Sequence, residues 1–464
     1  MAQELDRPLN AAALAAFRKS LDGDVITTDD LEYDAARAVW NGIVDRRPAL
    51  VARCTDAADV IKAVRFAREQ DLVIAVRAGG HSVGGFSTCD SGIIIDLSRM
   101  REISVDPQAR FARVDGGALG GDLDREAQAF GLACPLGYVS HTGVAGLALG
   151  GGMGRLQRKH GLTTDNVLSI ELVTADGQIV RAGEDENPDL FWGVRGAGAN
   201  FGVVTSFEFR LHPVGPTVTE GFVAHPVDRV QKVVALFSDY SASVPDEAMV
   251  TMGLAIGAPG FGLPDEFVGC PVVLVAATHC GSLEQAERDL QPLRGLHPLL
   301  DTFAPKDFIA LQTMSDQEMR WGRRFYMKGA YLDSFPADLV DVIVEQMERA
   351  PEGCSIPIWA QGGALGRVSN DAMAFTGRDA AFWIGTEAFW EDPAFDDAHF
   401  QWGRSAMDAI KPFSTAGHYV NDLVESGEDL VRFAYGAEKY ERLGTLKRTY
   451  DPDNVFRMNQ NIKP

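Results

Sequence analysis

Two glycine-rich stretches restrict this chain more than anything else in it: Val-Arg-Ala-Gly-Gly-His-Ser-Val-Gly-Gly over residues 76–85, and Ser-His-Thr-Gly-Val-Ala-Gly-Leu-Ala-Leu-Gly-Gly-Gly-Met-Gly over 140–154. Six of the twelve residues from Gly143 to Gly154 are glycine. A packed helix or strand tolerates few of them, so the pattern reads as backbone that wraps a bound group with its amides. The first stretch follows Leu72 to Val76, an apolar run that reads as a short buried strand. His81 stands at the lip of the turn, where its imidazole is free to project at whatever the amides hold. Neither stretch is a Gly-x-Gly-x-x-Gly that opens a helix after a strand, and no Gly-x-x-x-x-Gly-Lys-Ser/Thr occurs. Nicotinamide and ATP cradles are therefore excluded.

The surrounding chain reads as an α+β protein. Asn10 caps a helix over Ala11 to Leu21, Pro48 to Cys54 is a strand, and Thr55 caps a helix whose Ile61, Val64 and Ala67 share one face. With Leu72 to Val76 this β-α-β order makes a small α/β subdomain. Further strands fall at Gly92 to Leu97 and Phe111 to Gly117, and a helix at Leu119 to Gly131. A hairpin over Ile170 to Arg181 turns at Asp176-Gly177, a pair that suits a type I′ turn. Val203 to Leu211 is a strand that leads into Pro213 and Pro216, where we place a domain boundary. Beyond it, strands such as Ala248 to Ile256 and Val272 to Thr278 alternate with helices such as Val227 to Asp239 and Ala337 to Arg349. That alternation predicts an antiparallel sheet backed by helices. The tail carries a helix at Tyr435 to Leu446. The expected domains are 1–215, 216–410 and a returning segment, 411–464.

Composition removes several partners. Lys and Arg number 43 against 65 Asp and Glu, a net charge of −22, which repels nucleic acid and anionic membranes. The N-terminus is polar, and no run approaches the roughly 18 apolar residues of a membrane span. The six cysteines show no Cys-x-x-Cys spacing, which favours reduced thiols and a cytoplasmic protein. His279-Cys280 and the other histidines lack metal-ligand spacing, so no metal is expected. The oligomeric state, monomer or homodimer, stays open.

By its two glycine stretches the chain resembles flavoproteins with a PCMH-type FAD domain, within the vanillyl-alcohol-oxidase superfamily, and among them the berberine-bridge-enzyme-like oxidases. The resemblance continues through Arg158-Lys-His-Gly-Leu, Asp165-Asn166, Asn187-Pro-Asp-Leu-Phe-Trp-Gly-Val-Arg-Gly, Gly198-Ala-Asn-Phe-Gly-Val-Val-Thr and Tyr450-Asp-Pro-Asp-Asn-Val-Phe. It covers nearly the whole chain, is weakest from Pro216 to Met407, and is narrowest toward bacterial tailoring enzymes of the enterocin Favorskiiase type. It implies a two-lobed FAD-binding domain and an antiparallel-sheet substrate domain backed by helices.

The same resemblance implies an FAD held by Arg77, Ala78, Gly79, Gly80, His81 and Ser82 of the first stretch. From the second it adds Val139, Ser140, Thr142, Gly143, Gly146, Leu147, Gly150, Gly151, Gly152 and Gly154. Farther along come Asn166, Gly202, Val204, Tyr419 and Asn421. In that family the histidine of the first stretch is bonded covalently to the flavin, and many members add a cysteine eleven residues before the triple glycine. That position here is Val139, and Cys134 lies five residues too early, so the expected link is through His81 only. The residue eight before the triple glycine gates oxygen in the family, and here it is Thr142. Members carry Tyr-x-Asn-Tyr on a strand that reaches the flavin; this chain has Tyr419-Val-Asn421-Asp422. Asp422 either acts as a general base, if burial raises its pKa, or is solvated. Arg155, where close members have an aromatic residue, and Gln361, where they have a carboxylate, imply a different substrate. The expected activity is an oxidase that takes hydride from a small alcohol, sugar, amine or polyketide and reduces O2 to hydrogen peroxide. An oxygenating tailoring enzyme is the near alternative, and a flavin-binding protein without turnover is the alternative of another class.

Overall fold

The computed structural model describes residues 9–258, 260, 262–425 and 427–464; the polar N-terminal residues 1–8 lie outside them. Its first sheet has the strand order Asp24–Thr27, Leu50–Arg53, Ile93–Asp96, Ile74–Arg77. Leu50–Arg53 and Ile74–Arg77 both run parallel to Ile93–Asp96, as the β-α-β pattern requires, with the helix Ala57–Glu69 as crossover. All four residues of Ile93–Asp96 are buried, which explains why this strand is apolar without alternation. The crossover helix is capped one residue later than expected: the Asp56 carboxylate accepts from the Asp59 amide.

The second sheet is antiparallel, in the order Ile103–Asp106, Phe111–Asp115, Val203–Arg210, Val167–Val173, Ile179–Gly183. The last two strands form the expected hairpin, but not through a type I′ turn. Of its turn residues only Gly177 has positive φ, and the five-residue connection closes with the Gly177 amide donating to Thr174. The helix expected over Leu119 to Gly131 is shorter, Gly120–Gln128. The single tail helix is two, Glu428–Tyr435 and Ala437–Tyr450, because Gly436 between them has φ 74°. The second of these is held by Lys447, fully buried, whose ammonium donates to the Asn200 and Phe456 carbonyls and pairs with Asp451 at 2.7 Å. Removing one partner of such a pair strands a buried charge, at a cost of roughly 3–5 kcal/mol.

The third sheet begins at Thr217. Its order is Leu300–Asp301, Thr217–Pro226, Pro271–His279, Ala248–Ile256, Cys354–Ala360, Phe382–Trp390, Arg324–Leu332, with Ala304–Asp307 also pairing with Thr217–Pro226. Every pairing in it is antiparallel. The alternation of each strand sends Ile356, Ile358, Ile384 and Leu332 to one face, into a core with the helices Val230–Ser243, Ala337–Glu348 and Asp396–Ile410. It sends Phe325, Met327, Tyr331, Trp383 and Phe389 to the other, where they pack with Trp40, Met153 and Tyr419. That second face looks onto the glycine stretches. No helix of the described residues is long and apolar enough to cross a membrane, and no cluster among them is able to hold a metal ion.

One buried carboxyl in the helix Gly120–Gln128 carries a stability prediction. Asp124 accepts from the Gln312 side chain at 3.2 Å, while its other oxygen and the Gln312 carbonyl oxygen find no partner. Burial pushes its pKa up to about 7, with the Gln312 hydrogen bond opposing. A folded-state pKa above the unfolded one means stability present at low pH and lost as pH rises toward 7. Asp124→Asn is therefore expected to gain on the wild type between pH 5 and pH 8, with the difference in Tm widening by about 2 °C or more in calorimetry. A difference that stays constant over that range would show that Asp124 does not titrate there.

Candidate active site

The two glycine stretches meet backbone to backbone. A Cβ on Gly79 would lie 2.2 Å from the Gly143 nitrogen, and one on Gly143 would lie 2.3 Å from the Gly79 nitrogen. Gly143 is also bridged to Leu119, with the Gly120 amide donating to Thr142 and the Val144 amide to Ala118. Among the described residues, the amides of Gly79, Gly80, His81, Ser82, Val83 and Gly84 have no protein acceptor. Gly146 is exposed, and a Cβ there would meet nothing within 4 Å. A row of free amides beside open backbone fits the anionic pyrophosphate of a dinucleotide. The side chains of the stretch are engaged elsewhere. Arg77 is buried, pairs with Asp96 at 2.7 Å and donates to the Ala38 carbonyl at 3.0 Å. The Ser82 hydroxyl accepts from the Phe86 amide, and Ser140 donates from both its amide and its hydroxyl to Asp316.

His81 occupies the position expected of it, with neighbours that the sequence did not reveal. Its Nε2 lies 2.6 Å from Nδ1 of His141, and its ring stacks on Trp40 with centroids 4.8 Å apart. The exposed Trp321 meets the same ring edge-on at 6.3 Å. Trp40 is fixed by its amide, which donates to the Gly80 carbonyl, and by its indole, which donates to Met319. Burial, followed by the charge of His141, lowers the His81 pKa to about 3, so the imidazole is neutral over the physiological range. Ala78 packs against Gly143, and Val139 accepts from the Thr142 amide at 3.2 Å. The Thr142 hydroxyl has no partner among the described residues.

The second stretch is not all loop: Val144–Leu149 forms a helix, because Val144, Ala145, Ala148 and Leu149 bury one face. The triple glycine that follows serves protein packing instead of ligand access. A Cβ on Gly150 would lie 2.0 Å from the Asn421 amide oxygen, and one on Gly152 would lie 2.2 Å from the Thr163 hydroxyl. Gly151 and Gly154 press in the same way on Phe375 and on the Leu136 carbonyl. The Tyr419 hydroxyl accepts from the amides of Gly152 and Met153, at 3.1 and 3.3 Å, and from the Asn421 side chain at 3.0 Å. Asn421 also donates to the Leu147 carbonyl. Residues Val420–Asp422 form a 3-10 turn, not the expected strand. Three other candidates are engaged with neighbouring protein groups. Asn166 spends its amide on His160, Leu162 and His212, Gly202 packs on the Val173 carbonyl, and the Val204 carbonyl closes on Gly116.

Asp422 is buried, which removes the solvated alternative. Burial, then the charge of Glu387, raises its pKa well above the carboxylate range. The Trp383 indole pulls the other way, yet its N–H and the Asp422 Oδ2 close no hydrogen bond of ordinary geometry. Both atoms lie against Gly329, and the indole ring lies over Gly385, the cross-strand partner of Gly329. Glu387, two places beyond Gly385 on the same face, keeps partial exposure and has neither hydrogen bond nor ion pair among the described residues. Burial and Glu318 push its pKa up to about 7. From Trp383 the aromatic surface continues through Trp359, at 4.6 Å between centroids, to Tyr138 at 4.9 Å and the Arg155 guanidinium over Tyr138 at 4.5 Å. Gln361 is buried, its carbonyl oxygen accepting from Gln157 at 3.4 Å.

The sequence matches a family model described as "FAD binding domain" over residues 48–183, and one described as "Berberine and berberine like" over 418–463. It is 34% identical to (R)-6-hydroxynicotine oxidase of Paenarthrobacter nicotinovorans, an alignment that covers 96% of this chain and 97% of the relative. The fold superposes on the crystal structure of 6-hydroxy-D-nicotine oxidase from Arthrobacter nicotinovorans with TM-score 0.85, 32% identity, and coverage of 96% and 98%. It superposes on Physcomitrella patens BBE-like 1 with TM-score 0.87, 23% identity, and coverage of 97% and 99%, a likeness of fold. These relatives do not bear out the narrower resemblance to enterocin Favorskiiase-type enzymes. The free amides of the glycine cradle, the histidine set in it and a likeness that spans nearly the full chain lead to one assignment: this protein belongs to the berberine-bridge-enzyme-like family of FAD-linked oxidoreductases.

Proposed function

We propose that the protein is an oxidase of a small organic substrate whose FAD is bonded covalently to His81 and to no other residue. The observation that carries the reading is the imidazole of His81, held by His141 and Trp40 and set in the row of amides that have no protein acceptor among the described residues. FAD held there would supply a hydride acceptor for the substrate and an electron donor for the reduction of oxygen to hydrogen peroxide. The amides of residues 79–84 bind the pyrophosphate, and Trp40 and His141 orient the His81 ring. A second link lacks a candidate: Val139 stands at the expected position, and Cys134 is buried in an apolar core that holds its thiol pKa well above the usual range. Residues 1–215 and 411–464 then bind FAD, while 216–410 supply the substrate-facing sheet. All six cysteines are unpaired, which supports a reducing compartment.

Proton handling falls to two carboxyls. Asp422, whose pKa is raised well above the carboxylate range by burial and then by the charge of Glu387, meets the condition set for a general base. Glu387 releases its proton near neutral pH and is unpaired, so it too is able to accept one from the substrate.

Three measurements test this reading. Acid-denatured wild type and Cys134→Ala should stay yellow, whereas His81→Ala should release its colour to the supernatant; flavin lost from Cys134→Ala would contradict the single link. Thr142→Leu lengthens the side chain at the oxygen route and removes the hydroxyl, and few voids exist in a packed interior. Stopped-flow mixing with oxygen should show reoxidation slowed about tenfold, or ~1.4 kcal/mol, with reduction by substrate changed less. For Glu387, the rate of flavin reduction should rise with pH through about 7, and Glu387→Gln should flatten that limb; an unchanged limb would remove Glu387 from proton transfer.

A further inference from the structure

Arg155 is a buried guanidinium, 6% exposed, that makes no hydrogen bond among the described residues. Its Nε is enclosed without a hydrogen-bond partner, while its two terminal nitrogens, also without a hydrogen bond, keep contact with open space, one of them in a loose ion pair. The nearest carboxylate, Glu220 on the strand Thr217–Pro226, is 3.6 Å away, too far for a hydrogen bond. Glu220 is itself buried and takes its hydrogen bond from the Thr278 hydroxyl. Burial raises the Glu220 pKa, with Arg155, Thr278 and Lys306 opposing. The Tyr138 ring beneath the guanidinium supplies a face but no acceptor, and its own hydroxyl is unpartnered.

A buried guanidinium is ordinarily paired in a bidentate way, because its planar fork of donors matches a carboxylate and its desolvation is otherwise uncompensated. Here the fork faces open space at one end of the aromatic surface formed by Tyr138, Trp359 and Trp383, whose other end reaches Asp422. Met153, two residues before Arg155, donates its amide to Tyr419, which ties this end to the cofactor side of the site. A substrate amine is disfavoured there, since the accessible unpartnered groups are donors and the charge is positive.

We propose that Arg155 sets the specificity of this oxidase, and that its substrate carries a carboxylate, bound by the Arg155 fork, on a flat apolar body that lies along the half-buried Tyr138 and Trp359. The inference rests on the flavin-site reading above. It is tested on the holoenzyme with benzoate, phenylacetate and 3-phenylpropanoate, each beside its amide and the corresponding primary amine, by quenching of tryptophan fluorescence. At least one carboxylate is expected to bind about tenfold or more tighter than its amide, and Arg155→Gln should abolish that ratio while Arg155→Lys retains part of it. Glu220→Gln, which removes the competing carboxyl, should tighten the same carboxylate. If Arg155→Gln does not fold, the wild-type ratio and the Glu220→Gln shift decide. Equal affinities across the series, no binding by any carboxylate, tighter binding of an amine, or a ratio that survives in folded Arg155→Gln would each overturn the proposal. Flavin retention and reoxidation in air, measured on the same samples, test the oxidase reading separately, because the fluorescence ratio does not depend on turnover.

Discussion

The site depends on a contact in which two backbones touch at a point where neither has a side chain. Gly79 and Gly143 lie so close that a methyl on either would overlap the other's nitrogen by more than an ångström of ordinary contact distance. Gly79 lies two residues beyond a parallel strand of the first sheet, and Gly143 precedes a helix packed on the second. Their contact therefore fixes one lobe against the other and brings His81 within 2.6 Å of His141. It also leaves the amides after Gly79 turned away from any protein acceptor. Substitution at either glycine would separate the lobes before it disturbed any side chain of the site.

Opposite this cradle stands a sheet whose two faces do different work. One face is apolar and packs on helices. The other places Glu220, Glu387 and Trp383 beneath the glycine stretches, with Asp422 brought in by the C-terminal turn. Room for the Trp383 indole comes from Gly329 and Gly385, paired across neighbouring strands, which leave a hollow in the pleat. Two carboxyls with raised pKa values, Glu387 and Asp422, lie together on this face, while a third, Glu220, stands four strands away beside Arg155. Such a face favours neutral carboxyls and leaves the guanidinium as the persistent charge.

Local pattern carried much of the architecture. Alternation and apolar runs located three strands of the first sheet, four of the second and two of the third, and the β-α-β order around Leu72 to Val76 agrees with the parallel pairing of the first. Element ends were less legible. The cap moved from Thr55 to Asp56, and the tail helix broke at Gly436, because these ends are set by single hydrogen bonds and by one positive φ that periodicity does not register.

The amino-acid order by itself determined the glycine cradle, the presence of His81 in it and the absence of a cysteine at Val139, since each is a matter of which residue stands beside which. Only the tertiary structure decided what those residues face. It turned Gly150 and Gly152 toward Asn421 and Thr163, gave Asn166 to His160 and His212, and brought Trp40 and Trp321 to His81 from distant parts of the chain. It likewise buried Asp422 and left Arg155 without a hydrogen bond among the described residues. Burial and pairing are properties of surroundings assembled from residues hundreds of positions apart, and the free energy of a charge depends on those surroundings more than on its neighbours in sequence.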